Sequence, residues 1–273
     1  MSYKGMKIEM GKNKRKNNND TNSKLRIIIS IIIFTALVFT GYIEVGFTEI
    51  SENSLNTQNT ANEVNSQNKT NNKNIKIDKI PKYSGKIVID INNDVPYFEE
   101  KDITTKNFET YSELDSLNRA QVAFANISKY TMPSEGVKRG KISYKPSGWV
   151  QYLYGKNKEE HLYERCHLIA WQLGNENNNY RNLITGTAQM NEAMIEYENM
   201  VAKWIKQKNE QGKNYHVLYR VTPIYNGDNL VATGVEMEAK SVEEEGISFN
   251  KFIYNVQDNF EINYATGKAK LNN

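Results

Sequence analysis

Residues 164–174 read Glu-Arg-Cys-His-Leu-Ile-Ala-Trp-Gln-Leu-Gly, and the residues spaced downstream of them decide the fold. His167 is one of three histidines, with His161 and His216. Asn182 follows it by 15 residues, Asn191 by a further 9 and Glu198 by a further 7. Residues 187–208 carry Met190, Met194, Tyr197, Val201, Trp204 and Lys208 at three- and four-residue spacing, the pattern of an amphipathic helix. The 7-residue step from Asn191 to Glu198 is nearly two helical turns, so the two share a face, beside the apolar stripe but outside it. A helix face that offers an amide and a carboxylate to a histidine makes an oxygen-rich site suited to a hard divalent cation.

Strands flank this helix. HVLYRVTPIY (216–225), a turn at Asn226-Gly227 and NLVATGVEMEA (229–239) form a strong hairpin signal. Phe252 to Tyr264 reads as a last strand, Trp149 to Tyr154 as another, and Ile87, Ile89 and Ile91 alternate as a strand does. Residues 112–127 fit either helix or strand. Antiparallel strands around one long central helix predict an α+β domain over residues 81–273, without internal repeats.

The N-terminal part has a different character. Residues 27–43 (IIISIIIFTALVFTGYI) hold no charge, and as a helix they span roughly 26 Å, close to the ~30 Å of a bilayer core. Basic residues precede the run and Glu44, Glu49 and Glu52 follow it. The positive-inside rule therefore predicts a cytoplasmic tail over 1–26, a single-pass anchor over 27–45 and an extracellular remainder. A cleaved signal peptide, which would release the protein, is the competing reading, but no A-x-A-like site follows. Residues 46–80 then read as a disordered tether, with Asn at nine of the 24 positions from Ser51 to Asn74 and few large apolar residues. The Asn bias recurs at 17–19 and 177–179, where it reads in part as background composition.

The 273 residues, 38% apolar and 25% charged, exclude a collagen, a coiled-coil rod and a wholly disordered chain. The single Cys166 excludes a disulfide framework and a cysteine zinc cage. The net charge of +3 is misleading: residues 1–26 carry +6, which leaves −3 for the rest. Nucleic-acid affinity must then come from a local patch. Lys129, Lys138, Arg139, Lys141 and Lys145 stand against Glu135 alone between 129 and 145, with Tyr144 and Trp149 close by. Lys138, Arg139, Lys141 and Lys145 are the candidate phosphate-tracking residues.

The run ERCHLIAWQLG…RNLITGTAQMNEAMIEYENMV resembles the DNA/RNA non-specific endonuclease family, whose fold is the ββα-metal or His-Me finger. With its apolar N-terminal run the chain is most similar to the membrane-anchored DNA-entry nucleases of Gram-positive bacteria. The likeness covers roughly residues 83–265 and rests on the ordered set His167, Asn182, Asn191 and Glu198. Two positions depart from the family's Asp-Arg-Gly-His: Glu164 stands for Asp and Cys166 for Gly. A Cβ where glycine is usual puts the local geometry in question.

The resemblance implies a Mg²⁺-dependent endonuclease (with Mn²⁺ as a substitute) acting on DNA and also on RNA, without a small-molecule cofactor. It implies His167 as general base, Asn191 as the direct metal ligand, and Glu198 holding a metal-bound water. Asn182 would orient His167 or a phosphate oxygen, and Arg165 would contact the phosphate. DNA-uptake machinery is the implied partner, and nucleic-acid degradation the alternative role. Glu198 has a plainer reading as a surface carboxylate paired with Lys203. His161 and His216 read as structural, His216 as facing solvent. Cys166 neighbours His167 on an extended chain and so points the other way, which suits a buried small residue and not a nucleophile. A fold that binds nucleic acid without cutting it is the competing function, and only Cys166 favours it. A cell-wall hydrolase would call for a zinc or paired-carboxylate constellation with spaced histidines, and the three scattered histidines form no HxH or HxxxH pair.

Overall fold

The computed structural model describes residues 77–272. The expected cytoplasmic tail, the anchor and all but the end of the tether lie outside the described residues. Among the described residues no helix is long and apolar enough to cross a membrane. Residues 77–80, read as the end of the tether, are ordered: Ile77–Lys79 form a 3₁₀ turn, and Ile77 and Ile80 pack against the cluster of Ile91, Ile224, Phe252 and Tyr254.

The chain opens with β1 (Val88–Asp90), β2 (Phe108–Tyr111) and β3 (Ala123–Ile127). Two short antiparallel pairs follow: β4 (Leu153–Tyr154) with β5 (Glu160–His161), and β6 (Tyr163–His167) with β7 (Leu183–Thr187). The single-turn helix α1 (Trp171–Gly174) lies between β6 and β7, and α2 (Ala188–Glu210) follows β7 at once. The long strands β8 (Val217–Ile224), β9 (Gly234–Ser241) and β10 (Ser248–Tyr254) come next, then the hairpin β11 (Phe260–Ile262) with β12 (Ala269–Leu271). The main sheet has six antiparallel strands in the order β1-β10-β9-β8-β3-β2.

Alternation along the long strands gives the sheet two different faces. Val217, Tyr219, Val221, Val235, Met237 and Phe249 join the core on one face, and Met190, Met194, Val201 and Ile205 of α2 join it from the helix. Each such side chain contributes about 1.5–3 kcal/mol on full burial. The other face pairs Arg220 with Glu238 across β8 and β9, at 2.7 Å. The segment at Tyr97 and Phe98 covers that pair: the Tyr97 amide donates to Glu238 Oε1 at 2.6 Å, and Phe98 lies 4.9 Å from the Arg220 guanidinium.

The structure resolves or revises several sequence readings. The ambiguous 112–127 stretch holds a turn and then β3. Asp115 Oδ1 accepts from the amides of Leu117 and Arg119, which turns the chain before a helix can start. The strand expected over 149–154 shrinks to Leu153–Tyr154, because Trp149 and Val150 belong to an irregular stretch. The Asn226–Gly227 turn is present, but β8 and β9 stop at Ile224 and Gly234, so it sits at the tip of a longer loop. Arg119 holds that loop through the carbonyls of Gly227 and Asn229. The strand expected over 252–264 is divided, since β10 ends at Tyr254, where Asn255 leaves the sheet for β7. His216 is 2% exposed and does not face solvent: its Nδ1 lies 2.5 Å from Glu243 Oε1.

Candidate active site

Strand alternation aims β6. Tyr163, Arg165 and His167 line one cavity of about 500 Å³, while Cys166 points into the core at 1% exposure. Burial pushes the Cys166 thiol well above its usual range, which makes it inert as a nucleophile. Cys166 keeps the extended backbone of a strand, so the positive φ that would demand glycine does not arise. Room for its sulfur comes from Gly186 on the paired strand, where any Cβ would meet Cys166 Sγ.

The wall opposite is α2. Thr187 caps it by accepting from the Met190 amide at 3.0 Å, and Asn255 Oδ1 accepts from the Thr187 amide at 2.8 Å, so the helix start is fixed to the sheet. That places Asn191 in the first turn and Glu198 two turns on, both lining the cavity. Glu198 is 6% exposed and so lies inside, not beside, the buried stripe. Burial raises its carboxyl to about 7, against a hydrogen bond from Gln172 and the charge of Arg139. It has no ion pair among the described residues, with Lys203 or any other base.

His167 is 6% exposed and both ring nitrogens are engaged. Nε2 lies 2.9 Å from the Asn177 carbonyl oxygen, which can only accept, so Nε2 carries the proton. Nδ1 is then the lone-pair nitrogen and accepts from Arg139 Nη2 at 3.0 Å. Burial lowers the imidazole to about 4, with the Asn177 bond opposing and the Arg139 charge assisting. The ring is therefore neutral at neutral pH, as a general base must be.

Asn182 does not reach the cavity. Its Oδ1 accepts from the Ile169 amide at 2.8 Å and its Nδ2 donates to the Ile169 carbonyl at 2.9 Å, so both amide atoms fix the chain two residues past His167. Arg165 lines the cavity and is held in place: its guanidinium lies 4.3 Å over the Trp149 ring, and its Nε donates to the Tyr144 carbonyl at 2.7 Å. Of the basic loop, Arg139 lines the cavity, whereas Lys138, Lys141 and Lys145 are exposed outside it. Asn178 Oδ1 accepts from the amides of Ser143 and Tyr144, tying this loop to residues 177–179. The asparagines there serve as turn chemistry and not only as background composition.

His161, read as structural, lines the same cavity with its Nδ1 3.1 Å from Gln151 Nε2. Gln172 and the Asn177 carbonyl lie outside the sequence reading, which places Trp149 beside the basic loop but not in this cavity. Among the described residues no three His, Cys, Asp or Glu side chains cluster to cage a metal. Three amides (Gln151, Gln172 and Asn191) and two carboxylates (Glu164 and Glu198) line the cavity. The pair that shares the α2 face, Asn191 and the buried Glu198, fits a hard cation that keeps most of its own waters.

The DNA/RNA non-specific endonuclease family matches residues 99–243, more than half of the chain, and that span contains every group just described except Asn255. The chain belongs to this family. It is a metal-dependent endonuclease that hydrolyses phosphodiester bonds of nucleic acid. NucA from Streptococcus agalactiae with a magnesium ion bound is 28% identical at a TM-score of 0.58, covering 68% of this chain and 86% of its own. The same NucA with no metal bound aligns with the same identity and TM-score. Sda1 nuclease with a bound zinc ion is 25% identical at a TM-score of 0.51, covering 59% of this chain and 80% of its own. The endonuclease's β6–β7–α2 unit is the ββα element of the expected fold, packed on a central antiparallel sheet.

Proposed function

We propose that this endonuclease works outside the cell, tethered by residues 27–45, and cuts DNA and also RNA with one Mg²⁺ ion, for which Mn²⁺ substitutes. The observation that carries the catalytic part is the neutral His167 sharing one cavity with Asn191 and Glu198. The charge step across residues 27–43 supports the tether, and the Mg²⁺ of the similar NucA supports the choice of ion.

His167 Nδ1 takes a proton from water while Nε2–H stays on the Asn177 carbonyl. The water oxygen attacks phosphorus, the bond from phosphorus to the 3′-oxygen breaks, and the departing 3′-oxygen takes a proton from solvent, so the products carry a 5′-phosphate and a 3′-hydroxyl. The ion, when bound, supplies positive charge against the charge developing on the phosphoryl and departing oxygens. Asn191 would hold it directly and Glu198 through a water. Arg165 donates to the phosphate from a guanidinium already oriented by Trp149 and Tyr144. Asn182 is a positioning residue that acts through Ile169. Lys138, Lys141 and Lys145 follow the flanking phosphates, which carry no direct sequence information, so cleavage is sequence-tolerant. A tethered enzyme of this kind serves DNA uptake beside its transport machinery, or degradation of nucleic acid at the surface.

The test is the full chain in detergent with supercoiled plasmid and structured RNA, in Mg²⁺ and in EDTA. His167→Ala and Asn191→Ala should each lower turnover about 10²–10⁴-fold. Cutting that persists in either variant would remove that residue from the mechanism. External protease on intact cells should release the domain, and protection of the domain would overturn the topology.

A further inference from the structure

We propose that Arg139 caps the base nitrogen of His167 while no substrate is present, and that a bound phosphodiester frees that nitrogen by drawing the guanidinium onto itself. The proposal rests on His167 being the general base. Three contacts lead to it. The Asn177 carbonyl fixes the proton on Nε2, so Nδ1 has the ring's one lone pair. Arg139 Nη2 donates into that lone pair at 3.0 Å, which leaves no place for a water on the same nitrogen. Arg139 Nε also donates to Asn177 Oδ1 at 3.2 Å, so one asparagine holds the ring by its backbone and the cap by its side chain.

The cap is a weak resting place for a guanidinium. Both of its acceptors, the imidazole nitrogen and the Asn177 amide oxygen, are neutral. Arg139 has no carboxylate in ion-pair contact among the described residues. A phosphate brings a negative charge that neither acceptor has, so it adds Coulomb attraction to the hydrogen bonds, and the planar fork matches two of its oxygens. A phosphate entering the cavity therefore outcompetes the ring for Arg139. The loop backbone need not move, because Asn178 keeps Ser143 and Tyr144 in place while the long side chain swings. One motion thus places a cation on the phosphate and opens the base to water. Without substrate the base stays closed.

The experiment reads the nitrogen itself. The full chain, with ¹⁵N-labelled histidine, in detergent and EDTA binds a short DNA duplex without cutting it. Long-range ¹H–¹⁵N correlation then reports Nδ1 of His167, assigned by its loss in His167→Gln. In the free protein Nδ1 should resonate as a hydrogen-bonded acceptor. Arg139→Ala and, separately, addition of duplex to the wild type should each move it by several ppm toward the free imine position. The duplex titration stands alone should Arg139→Ala fail to fold. If Nδ1 stays in place on adding duplex, or in a folded Arg139→Ala, the cap is wrong, even if plasmid is cut and His167→Ala abolishes cutting. If Nδ1 moves as expected yet His167→Ala still cuts plasmid, the cap stands and the base assignment is what fails.

Discussion

Glu198 and His167 titrate in opposite senses because burial penalises the charged form of each. The Glu198 carboxyl, raised to about 7 from an ordinary value near 4.5, holds its proton longer in the folded chain than in the unfolded one. Its contribution to stability is complete below pH 4.5 and is lost as pH rises through 7. His167, lowered to about 4 from 6.5, stays neutral in the folded chain where the unfolded chain is already protonated. Its contribution is complete above pH 6.5 and is lost as pH falls through 4. Between pH 4.5 and 6.5 the two largely offset, so only a variant separates them. Glu198→Gln should stabilise the metal-free protein by about 1–3 kcal/mol at pH 8 and by little at pH 4.5. Thermal unfolding in EDTA at both pH values checks this; a gain of equal size at both would mean that the carboxylate is not the cause. The same variant should lose the stabilisation that Mg²⁺ gives the wild type, since an amide has no charge to offer the ion.

The β6–β7–α2 unit works because small distances between elements are fixed by side chains that never touch substrate. Gly186 on β7 leaves space for Cys166 Sγ and the Met190 methyl. Gly186→Ala should therefore cost about 1–3 kcal/mol, the usual penalty of overpacking. Cys166→Gly removes one of the two obstructions, so the double variant should recover part of the loss, a coupling that a double-mutant cycle in urea measures. Strict additivity would show that the sulfur is not what Gly186 accommodates. Asn182 fixes the other end of β6 through both polar atoms of its amide. Asn182→Ala leaves the buried Ile169 amide and carbonyl without these partners and should destabilise by about 1–3 kcal/mol. It should lower turnover more than it raises KM, because the displaced element carries His167 and not the phosphate contacts. A change in KM alone would point instead to direct contact with substrate.

At the scale of the whole molecule, the sequence displayed what depends on fixed spacing along one element. Asn191 and Glu198 on α2, the alternation that turns His167 and Cys166 apart, and the β8–β9 hairpin were all legible for that reason. Contacts between irregular segments were not. Arg139 reaches His167 across 28 positions through a loop without periodicity, and the group that fixes the imidazole tautomer is a backbone carbonyl, which no residue type announces. The burial of Glu198 was missed because a carboxylate on a helix reads as surface until the sheet beneath it is known. Charge distribution, by contrast, is a property of sequence, and it governs how the whole chain meets a polyanion. Residues 27–273 sum to −3, so attraction to nucleic acid depends on the loop at 129–145, where Lys138, Lys141 and Lys145 are exposed. Replacing all three with Gln should raise KM for plasmid while leaving kcat nearly unchanged, since none of them lines the cavity. It should also flatten the dependence of log KM on log salt by roughly two to three units, because each lysine that neutralises a phosphate releases about one counterion. An unchanged salt slope would move the nucleic-acid track off this loop, and a fall in kcat at constant KM would place these lysines in the chemistry itself.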